Sequence, residues 1–406
     1  MYQDCRSKTQ IVLANIYLIT LVIYYGIQKQ VDFAVFWSAG RAFIKGQDPY
    51  SLTAQEASGW HMFINAPTSL IFFGVLGLCP LIVASFLFRI VSILTIYLVA
   101  RISHSSFGIP KHITYSVFLL SVPFRTTIGS GQVGLIVLLA IVKLISLIYQ
   151  NDLVKNKRNF MIGTVCCFSI LSFKPYMFIG IAILLLVIRK INLLLISILS
   201  FVFVTICMSL KFNLIKLWLS NVAVVGELTL EEANNSSIIA FVNRISNQQW
   251  LAIIFYITIN ALIVCIMLTK SNDFLRISLS LCLSITLSPY IHHQDYLVTI
   301  MASLLVCKFY SNSEVRKFES LLGVGLQPNS LVFTFIYEIW RFAKRDKVNY
   351  SKIISMIAIF LTCFNAICWH VNKLNLAFFV YDGTYIFWVL ILTFITLSKS
   401  RKITIY

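Results

Sequence analysis

Charged residues, and acidic residues above all, are scarce in this 406-residue chain. Asp, Glu, Lys and Arg together make up 12% of the residues, and only 15 of them are acidic. A soluble globular protein carries about 25% charged residues and about 45–50% apolar ones, whereas this chain is 59% hydrophobic. This composition excludes an ordinary soluble domain and predicts an integral membrane protein.

The motifs of several large enzyme classes are also lacking. The chain has no P-loop, no GxSxG, no CxxC and no HExxH or HxxxH spacing. The ten cysteines lie almost entirely inside apolar runs, where they act as small apolar side chains. The sequence therefore predicts no ATP-driven or hydrolase chemistry, no disulfide framework and no metal site.

Apolar runs recur from one end of the chain to the other. Because about 20 residues of helix cross a hydrocarbon core of ~30 Å, we expect an all-α polytopic transmembrane helical bundle of roughly ten to thirteen spans. It forms a single integral membrane domain over 1–406. Prolines predict breaks after Cys79 and Lys174. The runs are 10–27, 67–100, 112–128, 132–150, 159–188, 193–210, 250–269, 275–291, 295–309, 320–340, 352–371 and 376–397. The distribution of positive charge requires 67–100 to cross the membrane an odd number of times. One of its halves, or 112–128, is therefore expected to be re-entrant or interfacial.

Lysine and arginine cluster between the runs and produce the net charge of +18. Such clusters mark cytoplasmic loops, so they explain the charge without any nucleic acid. They put the N-terminus and a basic segment, 310–351, in the cytoplasm. A first external loop (28–66) and a second (211–249) then lie on the opposite side. The clusters are Arg6 with Lys8, 155–158, 189–190, Lys270 with Arg276, 308–317, 341–347 and 399–402.

Asp32 is the most conspicuous acid on the predicted external side. It follows the first apolar run and precedes FAVFW, and aromatic neighbours that partly desolvate a carboxylate favour its use as a general base. The alternative is a helix N-cap. The stretch 31–50 further predicts two short interfacial helices separated by a turn, with Gly46 as a C-cap and QDPY as the turn.

Several cations and amides lie on the same predicted side. Lys174 stands before Pro175 in an apolar run, where it is suited to a phosphate, or else snorkels to the membrane surface. Arg125 has a similar setting between Pro123 and the amide of Gln132. His292 and His293 can stabilise a leaving phosphate or transfer protons, and adjacent histidines make a poor metal site. The sequon residues Asn234 to Ser236 are weak glycosylation candidates.

Six segments in order give the chain a family resemblance. They are DFAVFWSAGRAFIKGQDPY, NAPTSLIFFGVLGLCPL, GQVGLIVLLAIV, FKPYMFIGIAILLLVIRK, NNSSIIAFVNRI and SPYIHHQDYLV. Together they resemble glycosyltransferase family 87, membrane enzymes of the GT-C class that use polyprenyl-phosphate sugars. The resemblance implies that Asp32 is the catalytic base. It further implies that the donor phosphate and substrate are bound by Lys174, Arg244, His292 or His293, and Gln132. Further candidates for this binding are Arg125 and Asn234.

The function implied by the resemblance is sugar transfer with inversion. The donor is a polyprenyl-phosphate sugar carrying mannose, a related hexose or arabinofuranose, and the acceptor is a lipid-linked or cell-envelope glycan at the external face of a bacterial inner membrane. No cofactor is required, although a divalent cation is compatible with these residues. The alternatives are a lipid or polysaccharide flippase or transporter, and a surface-polysaccharide polymerase or ligase.

Overall fold

The computed structural model describes residues 12, 30–51, 63–149, 157–209, 213–229, 237–246, 248–269, 272–288 and 291–310, and every regular element among them is helical. This confirms the predicted all-α fold. The helices are α1 Val31–Ile44, α2 Ser69–Gly77, α3 Leu81–Phe107, α4 Lys111–Leu120, α5 Val122–Ser130, α6 Gly134–Tyr149, α7 Lys157–Leu171, α8 Pro175–Val187, α9 Ile191–Ser209, α10 Leu214–Thr229, α11 Ile238–Ser246, α12 Gln249–Thr269, α13 Asp273–Thr286 and α14 Leu297–Tyr310, with a 3-10 helix, His293–Tyr296, before α14.

Two of the described helices, α3 and α12, are long and apolar enough to cross a membrane. Fewer than half of the residues in the most apolar window of each are buried, which is unlike the core helix of a soluble protein. Their outer faces carry side chains such as Ile82, Phe86 and Phe255, as a lipid-facing surface does. These helices fit a membrane protein. The predicted runs 10–27, 320–340, 352–371 and 376–397 lie outside the described residues, apart from Val12.

The run 67–100 divides into α2 and α3 at the predicted break after Cys79. Helix α2 has nine residues, about 14 Å of helix at ~1.5 Å per residue, which is too short to cross a bilayer. The run 112–128, expected as one segment, is two helices, α4 and α5. Ser121 has extended backbone angles there, and its hydroxyl accepts the Phe124 N–H, so it caps α5.

Helices α1 and α2 pack closely because glycines stand at their crossing. A Cβ atom on Gly40 would lie 2.2 Å from the Phe73 carbonyl oxygen, and one on Gly77 would lie 2.7 Å from the Arg41 nitrogen. The Phe36 and Phe73 rings stack beside them, with centroids 4.8 Å apart. The first helix is therefore held against a non-spanning helix rather than standing alone in the loop.

One end of the bundle, which we call the basic end, collects lysine and arginine at helix termini. The rings of Phe107, Tyr149 and Phe274 contact one another there, and they join the C-termini of α3 and α6 to the first turn of α13. The Lys308 side chain lies against the left-handed Gly108 at the same place. Basic residues at this end include Lys111, Lys157, Arg158, Arg276 and Lys308.

The opposite end, which we call the site end, is formed where α7 meets α8 and α13 meets α14. Helices α8 and α13 approach closely because Gly180 has no side chain: a Cβ there would lie 2.2 Å from the Ser280 carbonyl oxygen. The Ser284 hydroxyl donates to the Met177 carbonyl at 3.0 Å. This packing brings the first turn of α8 beside the segment that follows α13.

Candidate functional site

Asp32 lies in the first turn of α1, at the second helical position. The N-cap is Gln30, so the alternative of Asp32 as an N-cap is wrong. A carboxylate in the first turn still interacts favourably with the helix dipole. Asp32 is half-buried, and no described residue forms a hydrogen bond or ion pair with its carboxylate. Among the described residues, none competes with a bound molecule for this carboxylate.

Gln30 anchors this turn to the rest of the site end. Its side-chain amide donates to the Ile128 carbonyl at 2.9 Å, and its Oε1 accepts the Ser85 hydroxyl at 2.7 Å. Gly131, in the left-handed region with φ 79°, lies directly against it, since a Cβ there would be 2.5 Å from the Phe33 Cβ. The start of α1 is thus wedged between α3 and the turn after α5.

That turn carries Gln132 beside α1. The Gln132 N–H donates to the Thr127 carbonyl at 3.0 Å, and its side chain is half-buried. The segment 129–134 also has the spacing G-x-G-x-x-G. It joins two helices, however, whereas the dinucleotide-binding fingerprint joins a strand to a helix. The glycines here permit close packing against α1 and indicate no nucleotide site.

Lys174 occupies the predicted break between α7 and α8. It is the N-cap residue of α8, with φ −129° and ψ 82°, and Pro175 begins the helix. Lys174 is buried rather than snorkelling, and its Nζ donates to Asp295 Oδ1 in a buried ion pair. A buried ammonium needs such a partner because an isolated charge in an apolar interior is strongly unfavourable.

Asp295 lies in the 3-10 helix between α13 and α14. Its second oxygen, Oδ2, accepts the His292 backbone N–H at 3.1 Å. Asp295 is 2% exposed, so both of its oxygens are held in a dry environment. His292 is half-buried directly before it. The backbone of His293 is described, but its side chain is outside the described set.

The elements that carry these groups contact one another. Helix α5, which contains the buried Arg125, packs against the 3-10 helix and against α1. On the other side, Ser172 donates to Thr68 Oγ1 at 2.6 Å, two residues before Lys174. The Phe173 ring contacts Phe72 and Phe73 of α2. Asp32, Arg125, Gln132, Lys174 and His292 therefore all lie at the site end.

The two segments expected as external loops also meet there. The Trp218 indole N–H donates to the Ile64 carbonyl at 2.9 Å, and the Asn221 side-chain amide donates to the Tyr50 carbonyl at 3.3 Å. Arg244 lies in α11, but its side chain is outside the described set, and Asn234 lies outside the described residues altogether. Within the described chain, no three His, Cys, Asp or Glu side chains cluster as metal ligands.

The QDPY turn has a structural role. Asp48 Oδ1 accepts the Tyr50 N–H at 2.8 Å, and the Tyr50 hydroxyl donates to the Asn65 carbonyl at 2.9 Å. Burial, with a contribution from the Asp48 charge, raises the pKa of Tyr50 above its ordinary value. Tyr50 therefore stays neutral and donates. Of the two predicted interfacial helices, α1 is present, and the residues that follow the turn, 52–62, lie outside the described chain.

Two further charged residues belong to this region and were missed by sequence reasoning. Asp295 pairs with Lys174, and the sequence did not link the two residues. Arg89 is buried in α3, one turn after Ser85. An ionisable residue inside an apolar run is itself a functional signal, so the segment SFLFRIVSIL could have revealed Arg89.

Comparison with known protein families identifies the family of this chain. The model of glycosyltransferase family 87 matches residues 63–289, more than half of the chain. The match includes Arg125, Gln132 and Lys174, and it begins after Asp32 and ends before His292. No curated protein and no solved structure matches the chain. With its all-helical bundle and its apolar helices, the chain belongs to glycosyltransferase family 87.

Proposed function

We propose that this glycosyltransferase transfers a sugar, with inversion, from a polyprenyl-phosphate donor to a lipid-linked or cell-envelope glycan acceptor. The sugar is mannose, a related hexose or arabinofuranose. The observation that carries the proposal is the presence, at one end of the bundle, of an available carboxylate, Asp32, and a buried ammonium, Lys174. Sugar transfer from a lipid phosphate needs a base for the acceptor and a cation for the leaving group.

In the proposed reaction, the acceptor hydroxyl oxygen forms a bond to the anomeric carbon from the face opposite the lipid phosphate. The bond from that carbon to the phosphate oxygen breaks, and its electron pair stays on the phosphate. The acceptor proton passes to the Asp32 carboxylate, which becomes neutral. The phosphate changes from a monoanionic diester to a monoester that carries a second negative charge.

Cations and hydrogen-bond donors at the site end offset this second charge. Lys174 supplies an ammonium that is already positioned and desolvated, so it interacts strongly with developing charge. His292 or His293, Arg125, Arg244, Gln132 and Asn234 complete the proposed donor site. The chemistry requires no cofactor because the donor is already activated. A divalent cation is compatible with the site but has no assigned role.

The proposed orientation follows from the two ends of the bundle. The basic end carries Lys111, Lys157, Arg158, Arg276 and Lys308, and positively charged helix ends favour the cytoplasm. The site end then faces the outside of a bacterial inner membrane, and the donor lipid lies between the spans with its phosphosugar at that surface. A reporter fused after Asp32 should read external, and a cytoplasmic signal would refute the orientation.

The catalytic test uses purified protein in proteoliposomes with polyprenyl-phosphomannose and a lipid acceptor. Asp32→Asn should lower the transfer rate by about 10²–10⁴-fold, the usual contribution of a general base. Asp273→Asn, the same change at the basic end, should leave it unchanged. Transfer by Asp32→Asn at the wild-type rate would eliminate the proposed base.

The same vesicles separate the other classes of function. A flippase or transporter would move the labelled lipid between leaflets and leave the sugar on its phosphate. A polysaccharide polymerase or ligase would extend or attach a glycan only when supplied with an oligosaccharide donor. Chromatography of the labelled lipids distinguishes a new glycolipid from an unchanged donor.

A further inference from the structure

Asp295 is a buried charged group at the site end that the proposed reaction does not use. Its Oδ1 accepts the Lys174 ammonium, and its Oδ2 accepts the His292 N–H at 3.1 Å. The carboxylate therefore competes with any phosphate for the cation that the donor needs. A competitor held this firmly inside a binding site calls for a physical explanation.

We propose that Asp295 sets the relative affinity of the site for donor and product. It shares the Lys174 ammonium with the lipid phosphate, and it thereby weakens the binding of the phosphate-lipid product more than the binding of the sugar-phosphate donor. This inference rests on the proposed function and assigns Asp295 a role in releasing the product.

The charges of donor and product give the reason. The donor is a phosphodiester with one negative charge, whereas the product is a phosphomonoester whose second pKa is about 6, so it is a dianion above neutral pH. A cation alone attracts the dianion about twice as strongly as the monoanion. The site would then bind its product more tightly than its donor, and the retained product would block turnover.

A fixed negative charge beside the cation offsets this preference. Because Coulomb energy is proportional to charge, Asp295 repels the dianion about twice as strongly as the monoanion. The two effects act in opposite directions on the same pair of lipids. Asp295 thus reduces the difference in affinity between product and donor, at the cost of weaker binding of both.

The geometry allows Lys174 to change partners. When its ammonium turns toward a phosphate, Asp295 keeps the hydrogen bond from the His292 N–H, so the carboxylate is not left without a donor. Of the two side chains, Lys174 also keeps the larger exposed fraction, 8% against 2%. Lys174 is therefore the less completely buried partner of the pair.

Equilibrium binding of two lipids tests the inference without any sugar transfer. Polyprenyl phosphate and its methyl diester have the same tail but differ in charge at pH 8, and each can be measured by displacement of labelled polyprenyl phosphate in detergent. Asp295→Asn should tighten the binding of both lipids. It should also raise the ratio of monoester to diester affinity by about tenfold.

The controls compare charge with position. Asp295→Glu keeps the negative charge, so its affinity ratio should stay near that of the wild type. Asp273→Asn removes an acid at the basic end, and it should change neither affinity. The affinity ratio of the wild-type protein is a further test that needs no variant. The wild type should bind the monoester at most about tenfold more tightly than the diester.

The outcomes separate this inference from the proposed function. If the wild type binds neither lipid, the polyprenyl-phosphate donor itself is refuted. If it binds both but Asp295→Asn leaves the ratio unchanged or lowers it, Asp295 has only a structural role and the inference is overturned. If Asp295→Asn does not fold, a wild-type preference for the monoester above about tenfold overturns it equally, because no offset would then exist.

Discussion

An ion pair lies near each end of α13, and the two pairs differ in almost every respect. At the basic end, Arg276 and Asp273 are three residues apart in one helix, their charged atoms are 3.7 Å apart, and Asp273 is more than half exposed. At the site end, Lys174 and Asp295 are 121 residues apart in sequence and both are buried. One pair is local and solvated, whereas the other is distant and dry.

The difference between the two pairs supports the proposal that the site end carries the chemistry. An exposed pair contributes only about 0–1 kcal/mol because water and salt screen it. A buried pair must offset the desolvation of two charges, so it stabilises a fold less well than apolar packing would. A buried pair of this kind, at the same end of the bundle as Asp32 and next to His292, is therefore best explained by function.

The largest expected effect comes from breaking each pair on its acidic side. Asp295→Ala should lower the free energy of unfolding by about 3–5 kcal/mol because it leaves a buried ammonium uncompensated. Asp273→Ala should lower it by less than about 1 kcal/mol. Chemical unfolding in detergent measures both values. Equal losses would show that the two pairs do not differ in their environment.

Replacing a lysine at each end compares their effects on activity. Lys174→Met should lower kcat/KM for the donor by about 10²–10³-fold, the range for loss of one group that stabilises developing negative charge. Lys308→Met, at the basic end, should change it less than about twofold. The rates are corrected for the folded fraction. If the Lys174→Met protein is as active as the Lys308→Met protein, Lys174 does not belong to the donor site.

Each end also has a left-handed glycine. Gly131→Ala should cost about 1–3 kcal/mol in stability and about tenfold in transfer, because its Cβ would collide with Phe33 and displace the turn that holds Asp32. Gly108→Ala places its Cβ 3.4 Å from Lys308, so it should cost about 1 kcal/mol and no activity. Thermal unfolding and initial rates measure the two effects, and a fully active Gly131→Ala would contradict this positioning of Asp32.

The smallest effect is expected at two serines. Ser85→Ala removes the hydroxyl that donates to Gln30, and Ser106→Ala breaks the bond to Ser146 at the basic end, where the oxygens are 2.6 Å apart. Each substitution should lower the free energy of unfolding by about 1 kcal/mol, because it removes one hydrogen bond. Only Ser85→Ala should also reduce transfer, by a few fold. Equal rates in the two variants would show that the Ser85–Gln30 hydrogen bond does not help to position Asp32.

Local features of the fold were predictable from single residues. The C-cap of α1 is Lys45, one residue before the predicted Gly46; Gly46 is the left-handed residue that follows it, with φ 74°, and the bonds from Gly46 to Phe43 and from Gln47 to Ala42 close the helix. Pro175 begins α8 and leaves Lys174 outside helical geometry, as predicted. Both results depend on the conformational limits of one residue, which are the same in any fold.

Features that depend on contacts across the bundle were not predictable. Sequence reasoning left Asp32 between a helix cap and a base, and the first alternative proved wrong because α1 begins at Val31, after Gln30. It left Lys174 between a phosphate ligand and a snorkelling cation, and it did not identify Asp295 as its partner. Nothing in the local pattern links residues 121 positions apart.

The sequence by itself determined that this chain is helical and apolar, that its helices break at Pro80 and Pro175, and to which family it is similar, because composition, proline and glycine act locally. The tertiary structure decided which charges are paired and which remain available. Helix packing brings Lys174 to Asp295 and leaves Asp32 without a described partner. In a medium that desolvates charges, such pairing depends on distances that only the folded bundle establishes.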